Sequence, residues 1–316
     1  MSDPRLATAY AVCRGIARRE ARNFYYSFLA LPRAKRNALS AVYAFMRHAD
    51  DISDDESLLA RERKLRLESW LAQWHRVLGG TPSDDPVFMA LADAQKKFQI
   101  PPELLDQLVH GTSMDLESSH DESGEPEHAE GRTAVVAPAI RVHKTFADLY
   151  RYCYLVASVV GLVCIRIYGY DDKKAEDLAE DCGVAFQLTN IIRDVKEDAS
   201  MGRVYLPEED LTHFGLSIEQ FLQDGGKRID RTRLRPLLQF EAERAREYYK
   251  SGTDLIPLIH KDSRAALWVM VTIYQSLLEK IAASKFDVLR RRVRLSAAQK
   301  FSILGRGLLK SLFRTV

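Results

Sequence analysis

Three oxygen-bearing side chains, Asn190, Asp194 and Asp198, recur every four residues in FQLTNIIRDVKEDASMGRVYLP, residues 186–207. On a helix of 3.6 residues per turn that spacing sets them on one face about 6 Å apart. Two like charges so placed repel by ~0.2–0.5 kcal/mol at an exposed site, and a hard cation beside them reverses the sign. The other faces carry Phe186, Leu188, Ile191, Ile192 and Val195, which predicts a helix buried over much of its girth with its acidic row turned to an internal cavity. A second array stands in YAFMRHADDISDDE, residues 43–56, where Asp50 and Asp54 are four apart, as are Asp51 and Asp55, with Tyr43 and Arg47 earlier on that second ladder. Two acid-bearing helices facing each other suit Mg²⁺, which takes oxygen ligands, keeps several waters and bridges one or two carboxylates to substrate phosphate oxygens. A diphosphate is the substrate this chemistry implies. Each array alone also reads as a solvated acidic helix end, and Arg193 with Glu197 as a surface i,i+4 pair. Two arrays embedded in apolar sequence favour the metal.

The motifs DDISD at 50–54 and NIIRDVKED at 190–198, the latter followed by GRVYLP, resemble those of the squalene and phytoene synthases, which join two prenyl diphosphates head to head. NFYYSFLALP at 23–32, YCYLVASVVG at 152–161 and the region of Arg264 and Tyr274 extend the resemblance across residues 15–295. It implies an all-α fold, with residues 1–316 forming one large helical domain of the isoprenoid synthase type around a central cavity. It also implies Mg²⁺ held by Asp50, Asp54, Asn190, Asp194 and Asp198, with Tyr43 and Arg47 acting beside those acids. Phe24, Arg47, Ala157, Gly161, Gln187, Asn190, Tyr248 and Arg264 match positions that bind the substrate. The implied reaction condenses two prenyl diphosphates through a cyclopropyl diphosphate to a squalene-type C30 product: presqualene diphosphate, squalene or dehydrosqualene. Phytoene synthesis from two geranylgeranyl diphosphates is the alternative, and a catalytically inactive relative acting as a binding or assembly protein is the alternative of another class. A class I terpene cyclase fits the paired motifs and GRVYLP less well. The preference for the farnesyl substrate rests on Phe186, Tyr154 and Val160, side chains placed to shorten a cavity. NADPH enters only for a full squalene-forming reaction, and no nicotinamide-binding fingerprint is visible.

The elements that must carry these residues read as helices throughout. Apolar residues recur at helical spacing from Pro4 to Ala30, where Pro32 closes the run. Arg33 to Asp54 follows with Ala38, Val42, Phe45 and Met46 as its stripe. The segment 57–78 is a scaffold helix closed by Gly79 and Gly80, with Trp70 and Trp74 read as core. Helices are also predicted over 85–97, from Pro102, over 146–170, over 172–200 with Gly202 as its stop, over 231–250 and over 262–284. In 152–161 the small residues Ala157, Ser158 and Gly161 mark a face that something bulky approaches, either a neighbouring helix or, by the resemblance, an isoprenoid tail. Residues 117–133 are almost without apolar side chains and read as a mobile acidic loop.

With 316 residues, 46% of them hydrophobic, the chain can bury a large core. A net charge of +2 gives no argument for a nucleic-acid partner. Four scattered cysteines without a CxxC pair suit a reducing, cytoplasmic setting. No secretory segment opens the chain, and the apolar run 155–167 is interrupted by Ser158, Gly161 and Arg166, so no membrane span is expected. The last stretch, basic at Lys285, Arg290, Arg291, Arg292 and Arg294 and amphipathic over 296–313, packs on the body or lies peripherally on the inner membrane surface.

Overall fold

Asp3 and Pro4 start the first helix as composition dictates: the Asp3 carboxylate accepts from the Arg5 amide at 2.8 Å, and proline fills a first turn that needs no N–H. The computed structural model describes residues 3–55, 57–117, 142–223 and 229–313. Among the described residues there is no strand, only an isolated antiparallel bridge between Tyr170 and Ile259. The chain order is α1 (Pro4–Glu20), α2 (Arg22–Phe28), α3 (Arg33–Ser53), α4 (Ala60–Leu78), α5 (Pro86–Phe98), α6 (Pro102–Glu117), α7 (Phe146–Cys153), a π-helical turn (Tyr154–Ser158) and α8 (Val159–Tyr168). It continues with α9 (Lys174–Ser200), α10 (Glu208–His213), α11 (Ile218–Leu222), α12 (Arg231–Leu255), a 3₁₀ turn (Ile256–Leu258), α13 (Lys261–Ala283) and α14 (Ala297–Leu312). Apart from Glu117 at the end of α6, the acidic segment 117–133 lies outside the described residues.

The expected first helix is two helices. Ala21, at φ −74° and ψ 0°, ends α1 and starts α2, and the turn lets α2 pack against α13 while α1 lies on α3 and α5. Trp70 and Trp74 are core, as their spacing suggests: with Phe88 they surround Phe45 at ring-centroid distances of 5.7, 5.8 and 6.3 Å. That cluster locks α3 to α4 and α5.

The long helix α9 is the centre of the other half, packed against α12, the π turn, α8, α7 and α13. Leu188, Ile191, Ile192 and Val195 are all buried, so the expected deep burial of this helix holds. Gly202, at φ +74°, stops the chain just after it. Val204, Tyr205 and Leu206 of the following segment are buried, and α10 is then tied to α12 by Arg244, which bonds Asp210 and Glu241 at 2.8 Å each. Burial pushes the Glu241 carboxyl up to about 8, against the pull of Arg244.

From Phe146 to Tyr168 the helix is continuous but for its π turn, and it is long and apolar enough to cross a membrane by length and composition alone. Seven of its residues instead line an internal cavity. The π turn is gripped by two glycines: a Cβ on Gly111 would lie 2.8 Å from the Leu155 carbonyl oxygen, and one on Gly183 would lie 2.5 Å from the Ser158 Cα.

Candidate active site

The cavity measures about 880 Å³, at the large end of the ~300–1,000 Å³ usual for small-molecule sites. Its long walls are the helices that carry the acidic arrays. On α3 the lining residues run from Leu39 through Val42, Tyr43 and Met46 to Asp50, a rise of ~16 Å. On α9 they run from Ala179 through Gly183, Phe186 and Gln187 to Asn190 and Arg193, ~21 Å. Both walls therefore pass from apolar to polar towards the C-terminal end of the helix, where the acids stand. Ala157, Val160 and Gly161 form a third wall, with Phe24 and Tyr274 contributed by α2 and α13.

The two interleaved ladders of α3 separate. Asp50 lines the main cavity, and with Asp54 it lines an adjoining cavity of about 210 Å³ that shares Met46, Val156 and Val160. Asp51 instead pairs with Arg47, and Asp55 caps the next turn by accepting from the Ser57 amide at 3.1 Å. Arg47, held by Asp51, is not among the residues that line either cavity. Ser53, whose hydroxyl donates to the Thr112 carbonyl at 2.8 Å, anchors this end of α3 to α6.

On α9 the Arg193 Nε donates to Asp194 Oδ1 at 2.7 Å, and Arg292 Nη2 donates to Asp194 Oδ2 at 2.7 Å. The surface pair of Arg193 with Glu197 does not form. Burial and the neighbouring Asp194 push Asp198 up to about 7, while burial and Asp54 do the same for Asp50. Glu197 Oε2 is buried without a hydrogen-bond partner. Carboxylates raised in this way by desolvation and mutual repulsion, beside an orphaned carboxylate oxygen, are a donor set that fits Mg²⁺. Among the described residues no three acids converge to enclose a metal by themselves. A cation here takes its remaining oxygens from water or substrate.

Asn190 donates through Nδ2 to Gln187 Oε1 at 3.3 Å and, like Asn23, lies beside the hydroxyl of Tyr274. Tyr274 is buried, its ring stacks on Phe186 at 4.4 Å, and its edge meets Phe24 at 6.1 Å. Phe24, Tyr43, Ala157, Gly161, Gln187 and Asn190 thus meet around one cavity.

Two expected substrate residues stand elsewhere. Arg264, in the first turn of α13, donates from Nε to the Ile259 carbonyl at 2.8 Å and from Nη2 to the Pro257 carbonyl; it caps the preceding 3₁₀ turn and does not line the cavity. Tyr248 packs beside Phe146 and Tyr150 at 6.1 and 6.2 Å, on the side of α12 turned away from its buried neighbour Tyr249. Conversely, Arg292, Val293, Arg294 and Leu295 line the cavity, although the sequence singles out Arg292 and Arg294 only as members of a basic cluster and gives no role to Val293 or Leu295. The alternation of base and apolar residue in RVRL, without a helical period, is the sequence signal for that extended passage.

The family model for squalene/phytoene synthase matches residues 17–299. A phytoene synthase from Mycobacterium bovis is 36% identical over 305 residues, covering 96% of this chain and 91% of that protein. Among solved structures, a dehydrosqualene synthase in complex with ligand matches with a TM-score of 0.81 and 28% identity over 98% of both chains. Squalene synthase HpnC from Alicyclobacillus acidocaldarius shares the fold, with a TM-score of 0.73 and 24% identity over 90% of this chain and 97% of its own.

Proposed function

The chain belongs to the squalene/phytoene synthase family and is a prenyltransferase, and from that premise we propose that it condenses two farnesyl diphosphates head to head, with Mg²⁺, into a C30 cyclopropyl diphosphate. The observation that carries this reading is the sorting of the cavity, with apolar walls along α3, α8 and α9 that end at Asp50 and Asn190. Asp50, Asp54, Asn190, Asp194 and Asp198 would hold Mg²⁺. When bound, it supplies Lewis-acid stabilisation of the leaving diphosphate.

The chain's own residues do the rest. Arg193 and Arg292 line the cavity and offer guanidinium donors to diphosphate oxygens, bonds strengthened by charge. The C1–O bond of one substrate breaks, and the diphosphate leaves with the electron pair. The allylic cation that remains is sheltered from water by Phe24, Tyr43, Phe186 and Tyr274, whose π-faces favour positive charge. The double bond of the second chain attacks C1, and loss of one proton closes the cyclopropane. One diphosphate is released and the other stays on the product.

Phe24, Phe186 and Tyr274 form one aromatic cluster in the cavity wall, and its bulk supports the shorter substrate. Phytoene synthesis is the second reading, favoured by the relative from Mycobacterium bovis. The deciding experiment gives purified protein farnesyl or geranylgeranyl diphosphate separately, with Mg²⁺, with and without NADPH, and compares extracts by mass. A C30 cyclopropyl diphosphate without NADPH is expected. Efficient conversion of geranylgeranyl diphosphate to a C40 hydrocarbon overturns the chain length, and a cyclised terpene from one substrate molecule overturns the head-to-head reaction.

A further inference from the structure

The geometry points to Tyr168 as the residue that closes the apolar end of the cavity and so fixes the length of chain it accepts, an inference that rests on prenyl diphosphates being the substrates, as proposed above. The wall made by the π turn and α8 runs opposite to α3. At its start Val156 and Val160 line the adjoining cavity with Asp50 and Asp54. At its end the Tyr168 carbonyl accepts from Lys35 Nζ, in the first turn of α3, at 2.7 Å. Lys35 and Asp50 are ~22 Å apart along that helix. Cys182, near the start of the cavity face of α9, is close enough to Tyr168 to act on its hydroxyl electrostatically. Tyr168 therefore lies at the end of all three walls that is farthest from the acids, and it is 3% exposed.

Tyr168 is also held in place from several sides. Its carbonyl accepts a second bond, from Ser263 Oγ of α13 at 3.1 Å, and Lys35 is itself fixed by Asp262 at 2.6 Å. The hydroxyl lies beside Ser27 of α2, which is fully buried and donates to the Phe24 carbonyl at 2.7 Å. A buried tyrosine whose polar tip has a partner cannot swing aside without leaving that tip unpaired. Behind the ring the chain turns at Gly169, with φ +80°, and a Cβ there would run into the His260 ring. The His260 amide donates to the Gly169 carbonyl at 2.8 Å, so backbone closes off any continuation of the channel.

The side chains that the sequence offered for this task stand elsewhere. Phe186 is ~10 Å along α9 from Ala179 and stacks on Tyr274, so it narrows the channel nearer the acids. Tyr154 is not among the residues that line the cavity. Tyr168 is what the tip of a longer tail meets, and a clamped ring in a close-packed wall excludes that tip by overlap.

The test is a ratio. Wild type and variants receive equimolar farnesyl and geranylgeranyl diphosphate with Mg²⁺, and the products are separated by mass; in parallel, calorimetry gives the Kd of the unreactive thiolodiphosphate of each chain. Tyr168→Ala should raise the preference for the longer chain, in rate and in affinity, by about ten-fold or more. Tyr168→Phe keeps the ring and should stay close to the wild type. Lys35→Met frees the carbonyl that positions the ring, so it should shift the ratio in the same direction as Tyr168→Ala while retaining farnesyl turnover. Cys164 lines the cavity one turn before Tyr168 on α8, and Cys164→Leu should move the preference the other way, from farnesyl towards geranyl diphosphate. If Tyr168→Ala fails to fold, the last two variants decide. Unchanged ratios in the folded variants, or a Tyr168→Phe variant as permissive as Tyr168→Ala, overturn the proposal. A wild type that turns over neither chain refutes the reaction instead, and the thiolodiphosphate ratios still judge Tyr168.

Discussion

Asp50 and Asp198 carry opposite demands in folding and in catalysis. Each has an ordinary value of 3.8 that burial and a neighbouring aspartate push up to about 7. Between those values the folded chain binds more protons than the unfolded one, so stability falls as pH rises from about 4 to about 7 and levels off above that. Asn keeps the shape of Asp and cannot ionise. The metal-free Asp50→Asn and Asp198→Asn variants should therefore melt at or above the wild-type temperature at pH 8, with a flatter pH dependence below 7. Turnover with Mg²⁺ should nevertheless drop by ~10²–10³-fold or more. Melting curves at several pH values, set beside initial rates, check both halves; wild-type stability that rises over this range would refute the argument. Since Mg²⁺ must displace protons from these groups, its apparent affinity should also weaken below about pH 7, which titration of the melting temperature with Mg²⁺ at pH 6 and pH 8 measures.

At the scale of elements, the π turn shapes the cavity wall. Val156 and Ala157 lie within it and line the cavity, while Ser158 turns the other way and donates to the Glu180 carbonyl at 2.6 Å. The sequence reading singled out Ala157, Ser158 and Gly161 as a close-approach face. The helix-contact alternative holds, since a Cβ on Gly161 would sit 3.0 Å from the Ala179 carbonyl of α9, while Ala157 and Gly161 also line the cavity. The turn itself was not legible, since its five residues have ordinary helical composition and the device that holds it is Gly183, far along the chain. A methyl group on Gly183 would lie 2.5 Å from Ser158 Cα and 2.7 Å from its nitrogen, both backbone atoms that cannot swing aside. Gly183→Ala should cost about 1–3 kcal/mol of stability, as overpacking does, and should depress turnover by displacing Ala157, with helical circular dichroism preserved. Unchanged melting and kinetics would show that the wall tolerates the shift.

Across the whole molecule, what the sequence made legible is what local spacing encodes. The acidic rows, the buried faces of α9 and the tryptophan core on α4 follow from periods of three and four residues, and the two arrays could be joined because both are embedded in apolar sequence, where a pair of solvated helix ends explains them poorly. Contacts between distant segments carry no such period. Arg264 and Tyr248 have plausible types in plausible elements, yet one is bound to carbonyls of the segment just before its helix and the other sits in a different aromatic cluster. Arg292 is the converse, since it reaches Asp194 across 98 residues of chain. Its charge bears on the last prediction. If Arg292→Gln removes the long-range bond, Asp194 still holds Arg193, so no buried carboxylate is stranded and the fold should survive. The cavity loses a cationic donor for diphosphate, and a bond to a charged group is worth about 1.5–3 kcal/mol, so KM for the prenyl diphosphate should rise about ten-fold or more. Asp194 is simultaneously relieved of one competing cation, so the Mg²⁺ needed for half-maximal rate should stay the same or fall. These two shifts separate the possible roles. A lower melting temperature with unchanged KM would make Arg292 a strut between α9 and the passage before α14, whereas a raised Mg²⁺ requirement with unchanged KM would make it the group that orients Asp194 for the metal.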